Sequence, residues 1–432
     1  MEEGIIDLGD LYKMKNKYLI SIIVPTKNRT EYALKTIEQI LSIDDDSIQL
    51  VVQDNSDTNN LKDSITHFCN DSRLKYNYSS ELLSFVDNFS LAVSLADGEY
   101  ICVIGDDDGI NPEIVKIARW ASENNIDAIK PEVQAVYIWP ETGILLHNKK
   151  ANDGYMRISK ISKKIRVCNT KTELKKLLNN GCQKYLTFDV VKLYHGLVKK
   201  SCMEEVKKQI GVYFAGLSPD IYSAVALSIV IPEVISIDYP LTISGICKKS
   251  GSADSATGKH TGELKDAPHF IGHTGYSWAD EVPKFYSVET IWADSSLAAI
   301  KDMKQYDLLE EFKLEFLIAY CLKKYSKFSD VIKQQYVDYS SQKKFTRNEA
   351  KILLIAAFIE GPCIDIVNRV FSRLTRKKDD FVTLYNVRDI IQAEKELSNY
   401  LNNKRLNIED VIVEIELRLN DTKKTGISKL TT

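Results

Sequence analysis

Tyr100-Ile-Cys-Val-Ile-Gly-Asp-Asp-Asp-Gly-Ile-Asn-Pro112 decides the fold. The unbroken apolar run from Tyr100 to Ile104 reads as a strand covered on both faces, because a half-exposed strand would alternate with polar residues. The run stops at a glycine and three aspartates. Asn111-Pro112 then opens a helix with Ile114, Ile117, Ala118 and Ala121 on one face. A buried strand ending in a polar tip and followed by a helix is the unit from which parallel sheets are built.

The same unit recurs upstream. Leu19 to Val24 reads as a buried strand stopped by Pro25; Thr30 is a candidate N-cap for a helix with Ala33, Ile37, Ile40 and Leu41 on one face. Gln49 to Gln53 is a second strand, Asp57 a candidate cap for a helix carrying Leu61, Ile65, Phe68 and Cys69, and Leu74 to Tyr78 a third strand. A helix with Phe85, Phe89, Ala92 and Val93 leads to Asp97-Gly98, where the glycine suits a left-handed helix end. The alternation predicts an α/β fold: a Rossmann-like, mostly parallel central sheet with helices on both faces.

Downstream the pattern changes. Val133 to Trp139 and Gly143 to His147 flank a Pro-Glu-Thr-Gly turn and read as an antiparallel hairpin. Residues 160 to 208 hold 13 Lys and Arg against 4 Asp and Glu, which suits either a resting anion or solvated helix faces. Residues 245–294 are rich in Gly, Ser and His and predict a long loop, a candidate lid over an acceptor site. From 295 to 420 the periodicity is helical, with segments at 297–328, 347–360, 387–401 and 408–419, followed by a tail at 421–432. This predicts a catalytic unit over 1–244 and a separate C-terminal helical domain.

Composition narrows the function. With 57 basic and 60 acidic residues the formal net charge is −3, which lacks the footprint of a general nucleic-acid binder. Met1 to Tyr18 does not resemble a secretory signal, and the longest apolar-rich run, Ile221 to Ile237, is interrupted by Pro232 and Glu233. The expected location is the cytoplasm. The eight cysteines form no C-x-x-C pair and read as reduced, mostly core thiols.

The Asp106-Asp107-Asp108 tip carries the strongest chemical signal. Adjacent carboxylates repel one another unless a cation neutralises them, and hard oxygens suit Mg²⁺ or Mn²⁺ shared with substrate phosphates. A solvated turn is the bland alternative. Gln53-Asp54-Asn55-Ser56-Asp57 ends strand two and could hydrogen-bond a base or ribose; Pro25-Thr26-Lys27-Asn28-Arg29 ends strand one. All three tips fall on the carboxyl edge of the sheet, where ligands bind in open α/β folds.

These segments, Ser21 to Arg29, Val51 to Asp57 and Asp97 to Asp108, resemble family 2 glycosyltransferases of the GT-A fold over about the first 240 residues, most strongly to residue 120. The resemblance implies that Pro25, Thr26, Asn28 and Arg29 border the nucleotide, that Asp54 and Asn55 lie at the base, and that Asp106 and Asp107 face the donor. It makes Asp106, Asp107 and Asp108 the D-x-D motif binding Mn²⁺ or Mg²⁺, although Gly105 stands where many relatives have the first aspartate. It also implies a catalytic carboxylate near the end of the domain. Ser218-Pro219-Asp220 is the matching segment, and Asp220 is the candidate base, against the plain reading of a carboxylate at a helix N-terminus.

The implied reaction moves a sugar from a nucleotide donor, UDP-linked in this reading, to a hydroxyl of a glycan or lipid-linked acceptor, with inversion, in bacterial surface polysaccharide synthesis. Two other readings stand beside it. A sugar-1-phosphate nucleotidyltransferase would need a glycine-rich loop after strand one, yet no glycine lies between Asp10 and Gly98. A non-catalytic nucleotide-sugar-binding scaffold would bind donor without turnover.

His260, His269, His273 and Trp278, with Lys259 and Trp292, are acceptor candidates from the long loop; His195 joins them, with a structural histidine as its default. Zinc is disfavoured at His269-x-x-x-His273, which has no cysteine pair. The helical region has three open uses: completing the acceptor site, forming a homodimer, or resting at the inner face of the membrane. Ile408, Val411, Ile412, Ile415 and Leu419 form one apolar stripe that reads as core or as an oligomer seam.

Overall fold

A computed structural model describes residues 17–132, 135–146, 149–150, 153–251, 260–273, 275–363, 365 and 381–425. Its centre is a sheet of eight strands. Strands β1 (Tyr18–Thr26), β2 (Ile48–Asp54), β3 (Leu74–Tyr78) and β4 (Gly98–Val103) are followed by β5 (Gly109–Ile110), β6 (Ala128–Pro131), β7 (Ala135–Ile138) and β8 (Tyr155–Ser159). Then come β9 (Ile165–Asn169), β10 (Leu197–Lys199), β11 (Glu233–Ile237), β12 (Thr242–Ile246) and β13 (Phe381–Tyr385). The central order is β9-β11-β6-β10-β4-β1-β2-β3. Only β10 and β9 run against their neighbours. This is the mostly parallel sheet expected from the sequence.

Register places the site. Thr26 pairs with Asp54, and Ile23 with Val103, so the residues after β1, β2 and β4 leave the sheet along one edge. Both faces are covered, which explains the unbroken apolar strands. On one face Ile23, Val51 and Val103 meet α2 (Phe85–Ser94), α4 (Thr170–Asn179), α5 (Lys200–Ile210), α6 (Pro219–Val230), α7 (Val288–Asp302) and α8 (Leu314–Lys324). On the other, Ile22, Val24, Leu50 and Val52 meet α1 (Thr30–Leu41) and α3 (Ile114–Glu123).

The C-terminal helices divide between these two cores. After α8, α9 (Ser329–Gln342) and α10 (Arg347–Phe358) continue on the first face, through Ile332 and Tyr336. The chain then returns to the other face. Strand β13 pairs with β8, while α11 (Ile390–Asn403) and α12 (Ile408–Thr425) bury Ile390, Leu397, Ile408, Val411 and Ile415 beside α1 and α3. No change of core coincides with residue 295. The α12 stripe is core within the chain, held also by Lys116 with Glu409 at 2.6 Å and Trp120 Nε1 donating to Glu416 at 2.9 Å.

Several local expectations change. Ala135–Ile138 pairs antiparallel with Tyr155–Ser159 and parallel with Thr242–Ile246, forming a second sheet β13-β8-β7-β12-β5 in place of a hairpin with 143–147. His147 itself lies outside the described residues, as do Val133 and Lys259. Asp57 does not cap a helix, which begins at Asn60; its carboxylate accepts from Asn28 Nδ2 at 2.9 Å. Arg29 stands at the N-cap of α1 in place of Thr30. Gly98 lies inside β4, where a Cβ would stand 2.5 Å from the Ser21 amide nitrogen. Its role is close approach between strands. Helical structure over 297–328 is interrupted between Asp302 and Leu314, where the short helix Tyr306–Leu309 intervenes.

The basic run at 160–208 is largely paired with acids, some inside the run and others brought from elsewhere. Lys163 meets Asp410, Arg166 meets Glu132 and Asp189, Lys175 meets Glu311, and Lys184 meets Asp365. Among the described residues no helix is long and apolar enough to cross a membrane.

Candidate active site

The tip after β4 is enclosed. Asp106, Asp107 and Asp108 are 1, 4 and 2 % exposed. Their backbone is held from three sides. Thr36 of α1 donates to the carbonyls of Asp106 at 3.0 Å and Asp108 at 2.7 Å, and Trp139 Nε1 donates to that of Asp107 at 2.9 Å. Gln39 brackets β5, accepting from Ile110 N at 3.0 Å and donating to its carbonyl at 3.1 Å. Gly109 lets α11 close in below, for a Cβ there would lie 2.7 Å from Ile390 Cγ1.

The three carboxylates have different environments. Asp108 Oδ2 accepts from Gly105 N at 2.6 Å and Tyr194 Oη at 2.9 Å, with His195 Nε2 at 3.3 Å; Oδ1 accepts from Gly245 N at 2.6 Å. It is an anchor, and its pKa lies below the ordinary carboxylate range because His195 and the Gly245 and Gly105 amides outweigh burial. Asp106 and Asp107 instead share Arg29. Nη1 lies 2.8 Å from Asp106 Oδ1 and Nη2 lies 2.9 Å from Asp107 Oδ2. Asp106 Oδ2 accepts from Thr26 Oγ1 at 2.5 Å, and Asp107 Oδ2 from Cys247 N at 3.0 Å. Burial still raises Asp106 to about 7, with Arg29 opposing, and raises Asp107 as well.

The first two tips interlock. Asn28, at φ 58°, donates through its backbone N to Ser56 Oγ at 2.8 Å and accepts from Asp57 N at 2.9 Å. Asparagine tolerates that left-handed conformation better than most residues. Lys27 Nζ donates to Asn55 Oδ1 at 3.1 Å. Pro25 lies in β1, in register with Gln53. Asp54 is fully buried, accepting from Ser56 N at 2.9 Å and Tyr76 Oη at 2.8 Å; Asn55 donates to the carbonyls of Ser79 and Glu81 at 2.9 and 2.6 Å. Asp54 and Asn55 therefore shape the loop around 79–83.

Asp220 opens α6, half-buried in the first turn. Its Oδ2 accepts from Tyr185 Oη at 2.9 Å and its Oδ1 from Ser218 Oγ. Tyr185 packs edge-on against Trp292 at 4.9 Å. Lys192 lies nearby, with Nζ 5.8 Å from the Tyr185 ring centre and donating to the Leu186 carbonyl at 3.0 Å. Burial, with Lys130 adding, pulls its pKa down to about 7. No sequence signal singles out Lys192 or Tyr185.

The acceptor candidates separate into two kinds. His195, at φ 62°, belongs to the acidic tip through Asp108 and also meets Thr242 Oγ1 at 2.9 Å. His260 and His269 meet edge to face, ring centres 5.4 Å apart, with Phe85 and Tyr286 beside them; burial lowers His269 to about 4. His273 packs on Tyr276. Trp278 is buried against Phe270, with its indole N–H given to the Val282 carbonyl at 3.1 Å. Tyr276, Trp278, Phe270, Leu264 and Lys284 line a cavity in this segment.

Sequence reasoning missed Gly245 and Cys247. Gly245 lies in β12 and Cys247 just after it, where the sequence predicts the start of a loop, yet their amides bind Asp108 and Asp107. Glycine at 245 was the available clue: a Cβ there would overlap the Asp107 carbonyl oxygen at 1.7 Å.

Among the described residues no three His, Cys, Asp or Glu side chains converge as a ready cation site. The donor set still suits Mg²⁺ or Mn²⁺ at Asp106 and Asp107, because Asp106 Oδ1 is buried without a hydrogen bond. Both carboxylate oxygens of Asp108, by contrast, accept hydrogen bonds.

Residues 21–176 match the family model described as glycosyl transferase family 2. Over that segment the chain is similar to family 2 glycosyl transferases. The segment holds the ends of β1, β2 and β4, while Asp220 and β12 lie beyond it. The chain is 33% identical over 106 residues to the putative colanic acid biosynthesis glycosyl transferase WcaA of Escherichia coli (strain K12), covering 24% of this chain and 38% of that protein. It is 28% identical over 125 residues to protein CgeD of Bacillus subtilis (strain 168), covering 27% of this chain and 28% of that one. The matched region thus spans well under half of either relative. Among solved structures, S. aureus TarS 1–349 in complex with UDP-GlcNAc superposes with a TM-score of 0.42 at 13% identity, over 76% of this chain and 93% of that one. The mannosyltransferase PcManGT from Pyrobaculum calidifontis, in complex with GDP-Man and Mn²⁺, gives 0.34 at 12%, over 79% and 86%. The fold rests on the strand order of this chain's own eight-stranded sheet.

Proposed function

We propose that this protein transfers a sugar from a nucleotide donor, UDP-linked, to a hydroxyl of a glycan or lipid-linked acceptor in surface polysaccharide synthesis. A cytoplasmic location, at the membrane face where a lipid-linked acceptor is presented, belongs to the same proposal. One observation carries it. The ends of β1, β2 and β4 are joined side chain to side chain, through Thr26 with Asp106, Arg29 with Asp106 and Asp107, and Asn28 with Asp57, into one polar surface at the carboxyl edge.

Each part has a chemical role. Arg29 supplies a planar fork suited to phosphate oxygens. Asn28 and Ser56 offer hydrogen bonds to the nucleoside, with Asp54 and Asn55 shaping the pocket around it. Asp106 and Asp107 would hold Mg²⁺ or Mn²⁺, which when bound stabilises charge on the departing diphosphate. Asp220 accepts the proton of the attacking hydroxyl, and Tyr185 and Ser218 orient its carboxylate by donating to it. Attack on the face opposite the leaving group gives inversion. His260, His269, His273 and Trp278 remain proposed acceptor-side residues.

Incubating the full chain with a panel of nucleotide sugars and Mn²⁺, and following release of nucleoside diphosphate, tests this reading. Turnover or slow donor hydrolysis that disappears in Asp107→Asn supports it. Donor binding without turnover across glycan and lipid-linked acceptors would indicate a binding protein instead.

A further inference from the structure

Two groups at the acidic tip are left incomplete. Asp106 Oδ1, on a side chain 1 % exposed, lies 2.8 Å from Arg29 Nη1 at an angle that makes an ion pair but no hydrogen bond. Arg29 Nε is buried and unpartnered as well. Every oxygen of Asp108, by contrast, is bonded. Arg29 also donates through Nη2 to Cys247 Sγ at 2.9 Å, and its guanidinium lies 5.9 Å from the centre of the Tyr32 ring. Its side chain is 20 % exposed, against 2 and 5 % for those of the two aspartates it pairs with.

We infer that Arg29 is an exchangeable counter-ion: it neutralises Asp106 and Asp107 in the ligand-free protein, yields those oxygens to a divalent cation, and then binds the donor diphosphate. This rests on the glycosyltransferase reading and deepens it. The fork of Arg29 touches both buried carboxylates, at 2.8 and 2.9 Å, and so occupies the oxygens that a divalent cation would take. A cation arriving alone must therefore displace Arg29 with nothing to receive it. Arriving with a diphosphate, it leaves Arg29 a new anionic partner, which also satisfies the unpartnered Nε. The consequence is coupling: cation and nucleotide each bind weakly alone and tightly together.

The test measures Mn²⁺ binding by titration calorimetry on the full chain, with and without UDP, for wild type, Arg29→Gln and Arg29→Lys. Thermal melting confirms that each variant is folded. The expected result has opposite signs for the two ligands. Arg29→Gln binds Mn²⁺ alone about tenfold or more tighter than wild type, yet binds UDP in saturating Mn²⁺ about tenfold or more weaker, the scale of one charged hydrogen bond. Arg29→Lys, which keeps the charge and loses the fork, falls between them and serves if the glutamine variant does not fold. Mn²⁺ affinity unchanged or weakened in both variants overturns the exchange, as does UDP affinity that is insensitive to Arg29. Wild type that binds neither Mn²⁺ nor UDP, alone or together, removes the glycosyltransferase reading and this inference with it.

Discussion

The carboxylates of Asp106 and Asp107 and that of Asp220 sit in contrasting environments. The first two are buried and paired with Arg29, and burial pushes both pKa values up even with that cation in contact. Asp220 is half-buried, and its oxygens accept from the hydroxyls of Tyr185 and Ser218. A group that is to grip a cation gains from low dielectric and crowding, whereas one that is to take a proton from an incoming hydroxyl must stay reachable. The difference divides the site into a binding half and a proton-transfer half.

The sharpest way to break that division is to neutralise one member of each. Asp220→Asn should lower kcat by about 10²- to 10⁴-fold, the usual contribution of a general base, with UDP affinity within about twofold of wild type. Asp107→Asn should instead lose UDP affinity in Mn²⁺. Equal effects of both variants on UDP binding would erase the distinction.

Asp294 extends the comparison to a fully buried acid with hydroxyl and amide partners. It accepts from Tyr276 Oη and from Ala279 N at 2.8 Å, and burial, against those bonds, raises its pKa to about 6. A raised acid favours the protonated folded state, so its contribution is complete below about pH 4 and is lost as pH rises through 6. Asp294→Asn should flatten the melting temperature across that window, a change of about 1 to 3 kcal/mol between its ends. An unaltered pH profile would show that burial does not govern this carboxylate.

Smaller effects follow from single hydroxyls. Thr26→Val removes the donor to Asp106 Oδ2, leaving a buried acceptor short of a partner, and should cost about 1 to 3 kcal/mol in chemical denaturation. Tyr185→Phe removes one neutral donor to Asp220 and should reduce kcat up to about tenfold without altering the melt by more than about 1 kcal/mol. A larger loss of stability would recast Tyr185 as structural.

The legible part of this molecule was local. Continuous apolar runs at Ile22 to Val24, Leu50 to Val52 and Tyr100 to Ile104 announced strands covered on both faces, and their polar ends had to share an edge once the sheet was parallel. The illegible part was contact at long sequence separation. Nothing near Phe381–Tyr385 signals its pairing with Tyr155–Ser159, and the 387–401 and 408–419 helices looked like an independent domain because an apolar helix face does not name its partner. The same blindness hid β12 at the tip. Arg29 was visible as part of the first cluster, but not its closure over Asp106 and Asp107, which depends on helix α1 placing it there.

A crystal structure of the full chain grown with UDP and Mn²⁺ tests the central claim most directly. The diphosphate should lie over Asp106 and Asp107 with Mn²⁺ between them, Arg29 turned onto phosphate oxygens, and the uridine beside Asn28, Asp54 and Asn55. Nucleotide bound elsewhere, with Arg29 still closed on both aspartates, would contradict it.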